Sequence, residues 1–219
     1  MAEAAAPTEP PRIYRGGHAA KPLPFDPKRL GGLSEKLLVS HHENNYSGAV
    51  KRLNAIEAQI AALPREVEPF KLGSLKREAL IAANSIRLHE LYFANLGGKG
   101  IAEGAFAALA RTHFGSLDAW EHDFRVTGLS LAGGSGWVIA TYDGEQRALH
   151  NVWAWDHMHG LAGGAPLLVM DMYEHSYHMD YGANAKGYVD AFFANLRSDE
   201  IDRRIGAAGS RRTAGEDSR

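Results

Sequence analysis

The apolar residues of this chain change their spacing once, at Gly134-Ser135-Gly136, and this change limits the folds open to it. Before this point apolar side chains recur every three or four residues, which indicates amphipathic helices. After it, an apolar run at 137–142 is followed by Asp143-Gly144, a strong signal for a two-residue hairpin turn, and by a second run at 146–152. Helices first and a small sheet afterwards predict an α+β fold.

Two long helices are predicted before that point. Ser34 suits the N-cap of the first helix, and Ser74 suits the N-cap of the second, which is expected to end at Gly97-Gly98. The connection between them is short, so the pair is expected to form an antiparallel hairpin. The apolar segment at 167–170 is predicted to be a third, buried strand.

The predicted architecture is therefore an N-terminal antiparallel helical hairpin followed by an α+β domain with a three-stranded antiparallel sheet. We place the hairpin domain at residues 23–98 and the α+β domain at 99–205. Residues 1–22 and 206–219 contain few large apolar side chains, so they are expected to form a disordered arm and a disordered tail. His18 lies in the arm and is expected to be solvated.

The composition removes several kinds of chemistry. The chain has no cysteine and 11 histidines, which excludes disulfides, zinc–thiolate sites, iron–sulfur clusters and thiol nucleophiles, and leaves imidazole as the main source of metal or proton chemistry. A net charge of -2 gives no reason to expect a nucleic acid or an anionic membrane as partner. Because no apolar run approaches the roughly 20 residues that span a bilayer, and no signal-peptide pattern is present, we expect a cytoplasmic protein.

Asp171 and His175 are the strongest candidates for chemistry. They follow the third predicted strand and lie four residues apart, so one helical turn would bring the carboxylate and the imidazole onto one face. Two helix-borne histidines facing this pair would complete a site of three histidines and one carboxylate, which favours iron or manganese over zinc. On the residues alone, buried and hydrogen-bonded core histidines explain the pattern equally well.

Three stretches resemble a known family more specifically. They are Leu23-Pro24-Phe25-Asp26, Gly134-Ser135-Gly136-Trp137, and Asp171-Met172-Tyr173-Glu174-His175 behind Pro166-Leu167-Leu168. Together they resemble the iron/manganese superoxide dismutase family over roughly residues 23–197. That family has a helical hairpin followed by an α+β domain around a three-stranded sheet, which agrees with the architecture predicted above.

The resemblance implies a metal centre and a reaction. Four positions match the metal ligands of the family: His41, His89, Asp171 and His175. They would hold one iron or manganese ion per subunit, and superoxide would be disproportionated to dioxygen and hydrogen peroxide as the ion alternates between its +3 and +2 states. His157 matches a catalytic position that hydrogen-bonds the solvent ligand of the metal, and Trp137 matches an aromatic wall of the pocket.

The resemblance also implies a homodimer or a dimer of dimers. Glu174 matches a residue that reaches across the interface to a ligand histidine, here His175 of the partner subunit. A second family pair at the same interface would consist of Asn45 and His178 in this chain, with donor and acceptor exchanged between the chains.

The sequence departs from the family at the substrate gateway. Family members have a tyrosine eight residues after the first ligand and usually a histidine four residues after it, where this chain has Ala49 and Asn45. Tyr46 lies five residues after His41, about 140° around an α-helix, so it can replace that tyrosine only if the backbone shifts. A dimeric metal-binding protein with little or no dismutase activity therefore stays open as an alternative. A non-haem iron oxygenase or hydrolase is a third possibility, which the aromatic residues around the site disfavour.

Overall fold

A computed structural model describes residues 9–216 of the chain, and the side chains of residues 9–208. The helices that precede the sheet are α1 (Glu35–Ser40), α2 (Ser47–Ala61), α3 (Pro69–Ala94), α4 (Ala105–Phe114) and α5 (Leu117–Leu129). A π-helical turn, His41–Tyr46, joins α1 to α2, so these elements form one interrupted helix that packs against α3.

A three-stranded antiparallel sheet follows, with the spatial order β2-β1-β3. Its strands are β1 (Trp137–Asp143), β2 (Ala148–Ala154) and β3 (Ala165–Asp171). The described chain then continues through α6 (His178–Tyr181), α7 (Ala185–Ala194) and α8 (Ser198–Glu216). The α+β fold predicted from the sequence is therefore confirmed, with the two long helices first and the sheet after them.

Local sequence explains where the two long helices begin. The Ser34 hydroxyl accepts the Leu37 N–H at 3.1 Å, which makes Ser34 the N-cap that the sequence predicts. The prediction for Ser74 is wrong, because α3 already begins at Pro69, whose fixed φ and missing N–H suit the first helical position. Ser74 lies inside the helix and donates its hydroxyl to the Phe70 carbonyl at 2.9 Å.

The hairpin between β1 and β2 has a longer loop than its sequence predicts. Asp143 pairs with Ala148, so four residues rather than two lie between the strands. The Asp143 carboxylate accepts the N–H groups of Glu145 and Gln146 at 2.8 and 3.1 Å, and Arg147 adopts φ of 55°. The aspartate thus satisfies the loop backbone itself, and this stabilises a wider turn than Asp-Gly alone requires.

One apolar core joins α3, the sheet and α7. Tyr92 of α3 and Phe192 of α7 are fully buried and stack with ring centroids 5.9 Å apart. Asn95, just beyond α3, is also buried and donates from Nδ2 to the Val169 carbonyl of β3 at 2.7 Å. The C-terminal half of α3 and the end of β3, each of which carries one predicted ligand, are therefore held at a fixed separation.

The two ends of the described chain also make contacts. His18 in the predicted arm is held against α2, because its ring lies 2.9 Å from Glu57 and its N–H donates to Asn54. At the other end α8 runs to Glu216, within the predicted tail at 206–219. Residues 1–8 and 217–219 lie outside the described residues, and the division into arm, domains and tail stays a prediction. Within residues 9–216, no helix combines the length and the apolar character needed to cross a membrane.

Candidate metal centre

Three imidazoles converge on one carboxylate oxygen. The Nε2 atoms of His41, His89 and His175 lie 3.1, 3.7 and 3.2 Å from Oδ2 of Asp171. One donor atom from each of the four residues lies within 4.8 Å of all the others. They come from the π-helical turn, from α3, from the end of β3 and from the 3₁₀ turn at 174–176. The four ligands implied by the resemblance are thus brought together by the fold.

The end of β3 sets the position of the carboxylate. Asp171 is the last residue of β3 and pairs with Trp137 of β1, which fixes its backbone. Its Oδ1 accepts the Tyr173 N–H at 2.9 Å, and this leaves Oδ2 toward the imidazoles. The Ser176 hydroxyl donates to the Asp171 carbonyl at 2.9 Å and so closes the turn that carries His175. One tight turn brings the pair together, as the four-residue spacing predicts.

The cluster has the properties of a metal site. The side chains of His41, His89 and Asp171 are at most 1 % exposed, whereas that of His175 is 26 % exposed. His89 Nδ1 donates to the Ser85 carbonyl at 2.7 Å, so Nε2 of the neutral ring carries the lone pair. Among the described residues, four buried side-chain atoms have no hydrogen-bond partner: this Nε2, Nδ1 of His41, Nε2 of His150 and Nδ1 of His159. Because buried polar atoms seldom lack a partner, a cation fits the lone pair beside the carboxylate.

The electrostatics favour a charged Asp171 and the neutral forms of His41 and His89. Burial acts to raise the pKa of Asp171, but the charge and hydrogen bond of His175, and the contact with His41, outweigh it and hold the pKa well below its usual range. Burial, together with the adjacent His41, lowers the pKa of His89 to about 3. Burial also lowers the pKa of His41 below 6.5, despite its hydrogen bond to Asp171. At neutral pH Asp171, His41 and His89 therefore offer one oxygen and two nitrogen donors, a set that suits iron, manganese or zinc.

Trp137 and His157 form a hydrogen-bonded pair beside the ligands. The indole Nε1–H of Trp137 donates to Nδ1 of His157 at 2.9 Å. Since an indole N–H can only donate, Nδ1 is the acceptor, and neutral His157 carries its proton on Nε2. Asn84 donates to the His157 carbonyl at 2.8 Å, and Tyr173 stacks on the imidazole at 4.9 Å. Burial lowers the pKa of His157, and its ring lies 6.4 Å from that of His89.

Aromatic rings surround the ligands on several sides. Four rings have centroids between 5.0 and 5.4 Å from a ligand imidazole: Tyr92, Phe93, Trp137 and Tyr173. Such a surround keeps water out and strengthens the electrostatic interactions inside it.

The π-helical turn changes the position of Tyr46. In a π-helix the backbone hydrogen bonds join residues five apart, so Tyr46 lies one turn beyond His41 instead of about 140° around the helix. Tyr46 is fully buried, and its ring lies 6.3 Å from His89 and 6.2 Å from Phe93. The backbone shift that Tyr46 needs in order to take the place of the family's gateway tyrosine is therefore present. In the sequence, the five-residue spacing between His41 and Tyr46 is the signal that points to this shift.

The residues predicted to form an interface lie at the surface of the subunit. Glu174 and His178 are exposed, and Asn45 is half-buried. Glu174 belongs to the same 3₁₀ turn as His175, so it lies beside the most exposed ligand. None of the three contributes a donor atom to the four-residue cluster.

Comparison with known proteins identifies the family. Residues 102–204 match the C-terminal domain of iron/manganese superoxide dismutases. Over 189 residues the chain is 54 % identical to an iron superoxide dismutase of Cupriavidus metallidurans, an alignment that covers 86 % of this chain and 96 % of that protein. The chain belongs to the iron/manganese superoxide dismutase family. The resemblance seen in the sequence, and the enzyme class that it implies, are confirmed.

Two more distant superoxide dismutases match most of the chain. A manganese enzyme of Haloferax volcanii is 34 % identical over 185 residues, which cover 82 % of this chain and 90 % of that protein. An iron enzyme of Aquifex aeolicus is 30 % identical over 200 residues, which cover 87 % and 92 %. The cluster of three histidines and Asp171 is therefore the site of one iron or manganese ion in this superoxide dismutase.

Proposed function

We propose that this superoxide dismutase is an active enzyme that converts two superoxide anions and two protons into dioxygen and hydrogen peroxide. The convergence of three Nε2 atoms on one buried carboxylate oxygen carries the proposal, because it fits a single cation in a dry, nitrogen- and oxygen-lined site. When bound, the metal supplies the one-electron redox couple for the reaction. The negative charge of Asp171 offsets part of the charge of the cation, and the Ser85 carbonyl holds His89 in the ligating tautomer.

His157 is the catalytic residue that we propose outside the ligands, with Trp137 as its hydrogen-bond partner and part of the catalytic pocket. Peroxide formation consumes protons, and a hydrogen-bond donor beside a site that excludes water can deliver them. The Trp137 indole occupies Nδ1 of His157, which leaves Nε2–H as the donor of the ring. Stacking on Tyr173 and the hydrogen bond from Asn84 restrict its motion.

Iron is the metal that we propose, with manganese as the other possibility. The relative that is 54 % identical is named as an iron enzyme, while a manganese enzyme among the relatives is 34 % identical. Elemental analysis of the purified protein, followed by reconstitution with each metal alone, tests this choice. A superoxide decay rate that is higher with iron supports it, and a higher rate with manganese overturns it.

We also propose that the enzyme works as a homodimer. His175 is 26 % exposed while the other three ligands are at most 1 % exposed, so one side of the site faces outward where a second subunit would cover it. In this proposed dimer the exposed Glu174 would contact His175 of the partner subunit. Sedimentation analysis should show that Glu174→Ala weakens the dimer and Glu145→Ala, in the hairpin loop, does not. Equal dimer affinity of both variants and the parent chain contradicts the proposal.

Asn45 and His178 are proposed as a further pair across that interface. Asn45 is half-buried in the π-helical turn that carries His41, and His178 is exposed at the start of α6. A double-mutant cycle on Asn45→Ala and His178→Ala should give a coupling in both dimer affinity and superoxide decay. If the effects of the two substitutions are strictly additive in both measurements, Asn45 and His178 do not form a pair.

The alternative function is a dimeric metal-binding protein with little or no dismutase activity. Ala49 and Asn45 favour it, since neither supplies the side chain of the family gateway, whereas the buried Tyr46 beside His89 weighs against it. Full metal occupancy without faster superoxide decay, for iron and for manganese alike, favours this alternative. The cytoplasmic location stays a prediction, which cell fractionation tests.

A further inference from the structure

A cavity of about 900 Å³ lies beside the metal centre. Tyr46, Phe93 and His157 line it, and none of the four ligands does. The rings of the same three residues lie 6.3, 6.2 and 6.4 Å from the ring of His89. These three side chains therefore form the wall between the cavity and the ligands.

Tyr46 is held in this wall by groups that are remote in sequence. Its hydroxyl donates to Oε1 of Glu90 at 3.0 Å and accepts the backbone N–H of Lys21 at 2.8 Å. The Lys21 ammonium also pairs with Glu90, and the Lys21 carbonyl lies 2.7 Å from Nε2 of His42. Because the one hydroxyl proton is given to Glu90 while Lys21 occupies an acceptor site, the orientation of the phenol is fixed from both sides.

Lys21 ends a segment that is fastened to α2, and we call residues 14–21 the strap. Asn54 exchanges two hydrogen bonds with the backbone of His18, at 3.0 and 2.9 Å. Glu57 is 8 % exposed, and its carboxylate accepts the Gly16 N–H at 3.0 Å and contacts the His18 ring at 2.9 Å. A nearly buried carboxylate needs such partners, so these contacts hold the strap firmly.

The start of the strap is anchored on α3 as well. The ring of Tyr14 packs against the apolar cluster between α2 and α3, which contains Leu53, Ile56, Ile60 and Ala82. The ammonium of Lys76 donates a hydrogen bond to the Tyr14 hydroxyl. The strap is thus fixed at three points along its length, and its last residue holds Tyr46.

We propose that the strap is a positioning element of the metal centre, which holds Tyr46 through Lys21 in the wall between the cavity and His89. In this arrangement Lys21 and Glu90 are positioning residues, and the strap restricts the access of solvent and small chelators to the metal from the cavity. The inference rests on the metal site of the proposed function and does not depend on turnover. If the strap has this role, residues far from the four ligands control how fast the metal leaves the site.

The test measures metal release from the iron-loaded enzyme to EDTA at neutral pH. Asn54→Ala combined with Glu57→Gln removes both hydrogen bonds of Asn54 to the strap and the charge of Glu57, and it touches neither Tyr46 nor a ligand. We expect it to release iron about fivefold faster, the factor that corresponds to a net loss of about 1 kcal/mol. Tyr46→Phe keeps the ring and removes both hydrogen bonds, so it should show the same acceleration.

Two control variants separate this effect from others. Glu78→Gln removes a carboxylate of α3 that pairs with Arg52 away from the strap, and it should release iron at the parental rate. Leu149→Ala destabilises the sheet without touching the strap, and it should accelerate release less than the two test variants do.

Parental release from the Asn54→Ala, Glu57→Gln enzyme overturns the proposal, and so does acceleration no larger than that of Leu149→Ala. If the double variant does not fold, Tyr46→Phe decides alone in the same assay. If the iron-loaded parent enzyme holds its metal but does not accelerate superoxide decay, the proposed function is wrong, and the strap is still tested by metal release. If the strap variants release iron faster but the parent enzyme has no dismutase activity, the proposed role of the strap is supported and only the proposed activity is rejected.

Discussion

The indole N–H of Trp137 donates to Nδ1 of His157 across 2.9 Å and so decides which nitrogen of the imidazole carries the proton. Trp137 also pairs with Asp171 through the sheet, on the opposite side from its pairing with Ala154. Trp137 therefore fixes both the backbone position of the ligand Asp171 and the tautomer of the neighbouring His157. The metal centre and its proposed proton donor share a single rigid support.

Replacing Trp137 by phenylalanine removes this donor and keeps an aromatic wall. His157 then loses its preference for a proton on Nε2, so we expect superoxide decay to slow by about tenfold while the metal content stays constant. Trp120→Phe is the matched control, because that indole donates to Asn151 on β2, the strand that does not pair with β3. An unchanged rate in Trp137→Phe would show that the tautomer of His157 has no part in the reaction.

Replacing Asp171 by asparagine keeps the shape of the side chain and removes its charge. Three imidazole nitrogens within 3.7 Å of Oδ2 then lose their anionic partner, so we expect the metal content to fall close to zero and activity with it. Asp190→Asn, which alters a surface ion pair with Lys186 and Arg125, should keep both. Elemental analysis checks the prediction, and full occupancy of Asp171→Asn would remove Asp171 from the ligands.

The metal-free protein should lose stability in acid from about pH 6.5 downward. The pKa of His89 is lowered to about 3 and that of His41 is lowered as well, so the unfolded chain binds more protons than the folded one below that pH. The free energy of unfolding should then fall with decreasing pH by up to about 1.4 kcal/mol per pH unit for each histidine. The lowered pKa of Asp171 adds a loss below about pH 4. Urea unfolding at pH 8, 6 and 5 measures the slope, and a flat profile would contradict it.

Arg204 should matter far more for stability than its neighbour Arg203. Arg204 is buried and donates from Nη1 to Asn95 Oδ1 and to the Leu167 carbonyl at 2.7 and 2.8 Å, which ties α8 to α3 and β3. Its Nη2 and Nε also donate, to the Leu91 carbonyl at 3.2 Å and to Glu200 at 3.1 Å, and a lysine ammonium has only three donors for these four acceptors. We therefore expect Arg204→Lys to lower the free energy of unfolding by about 2 kcal/mol or more. Arg203→Lys changes an exposed pair with Glu200 and should cost less than about 0.5 kcal/mol. Thermal unfolding that ranks them in the reverse order would disprove this role of Arg204.

The order of the secondary structure could be predicted because its signals are local. The Ser34 cap and the Asp143-Gly144 turn act within a few residues of themselves, and both mark real boundaries. Ser74 misled because serine also suits the interior of a helix, where its hydroxyl donates to the Phe70 carbonyl one turn earlier. The position of His18 could not be read from its neighbours, because Glu57 and Asn54, which hold it, lie more than 30 residues away.

The sequence by itself determined the fold class, and through its family motifs it named the four ligands and the enzyme class. Spacing along the chain determines which side chains share a face of one element, and the motif around Asp171 and His175 lies within one such turn. Only the tertiary structure decided how His41, 130 residues from Asp171, approaches it to 3.1 Å. It also decided the tautomer of His157 and the place of Tyr46, because these depend on long-range hydrogen bonds and on a π-helical turn that local helix periodicity does not predict.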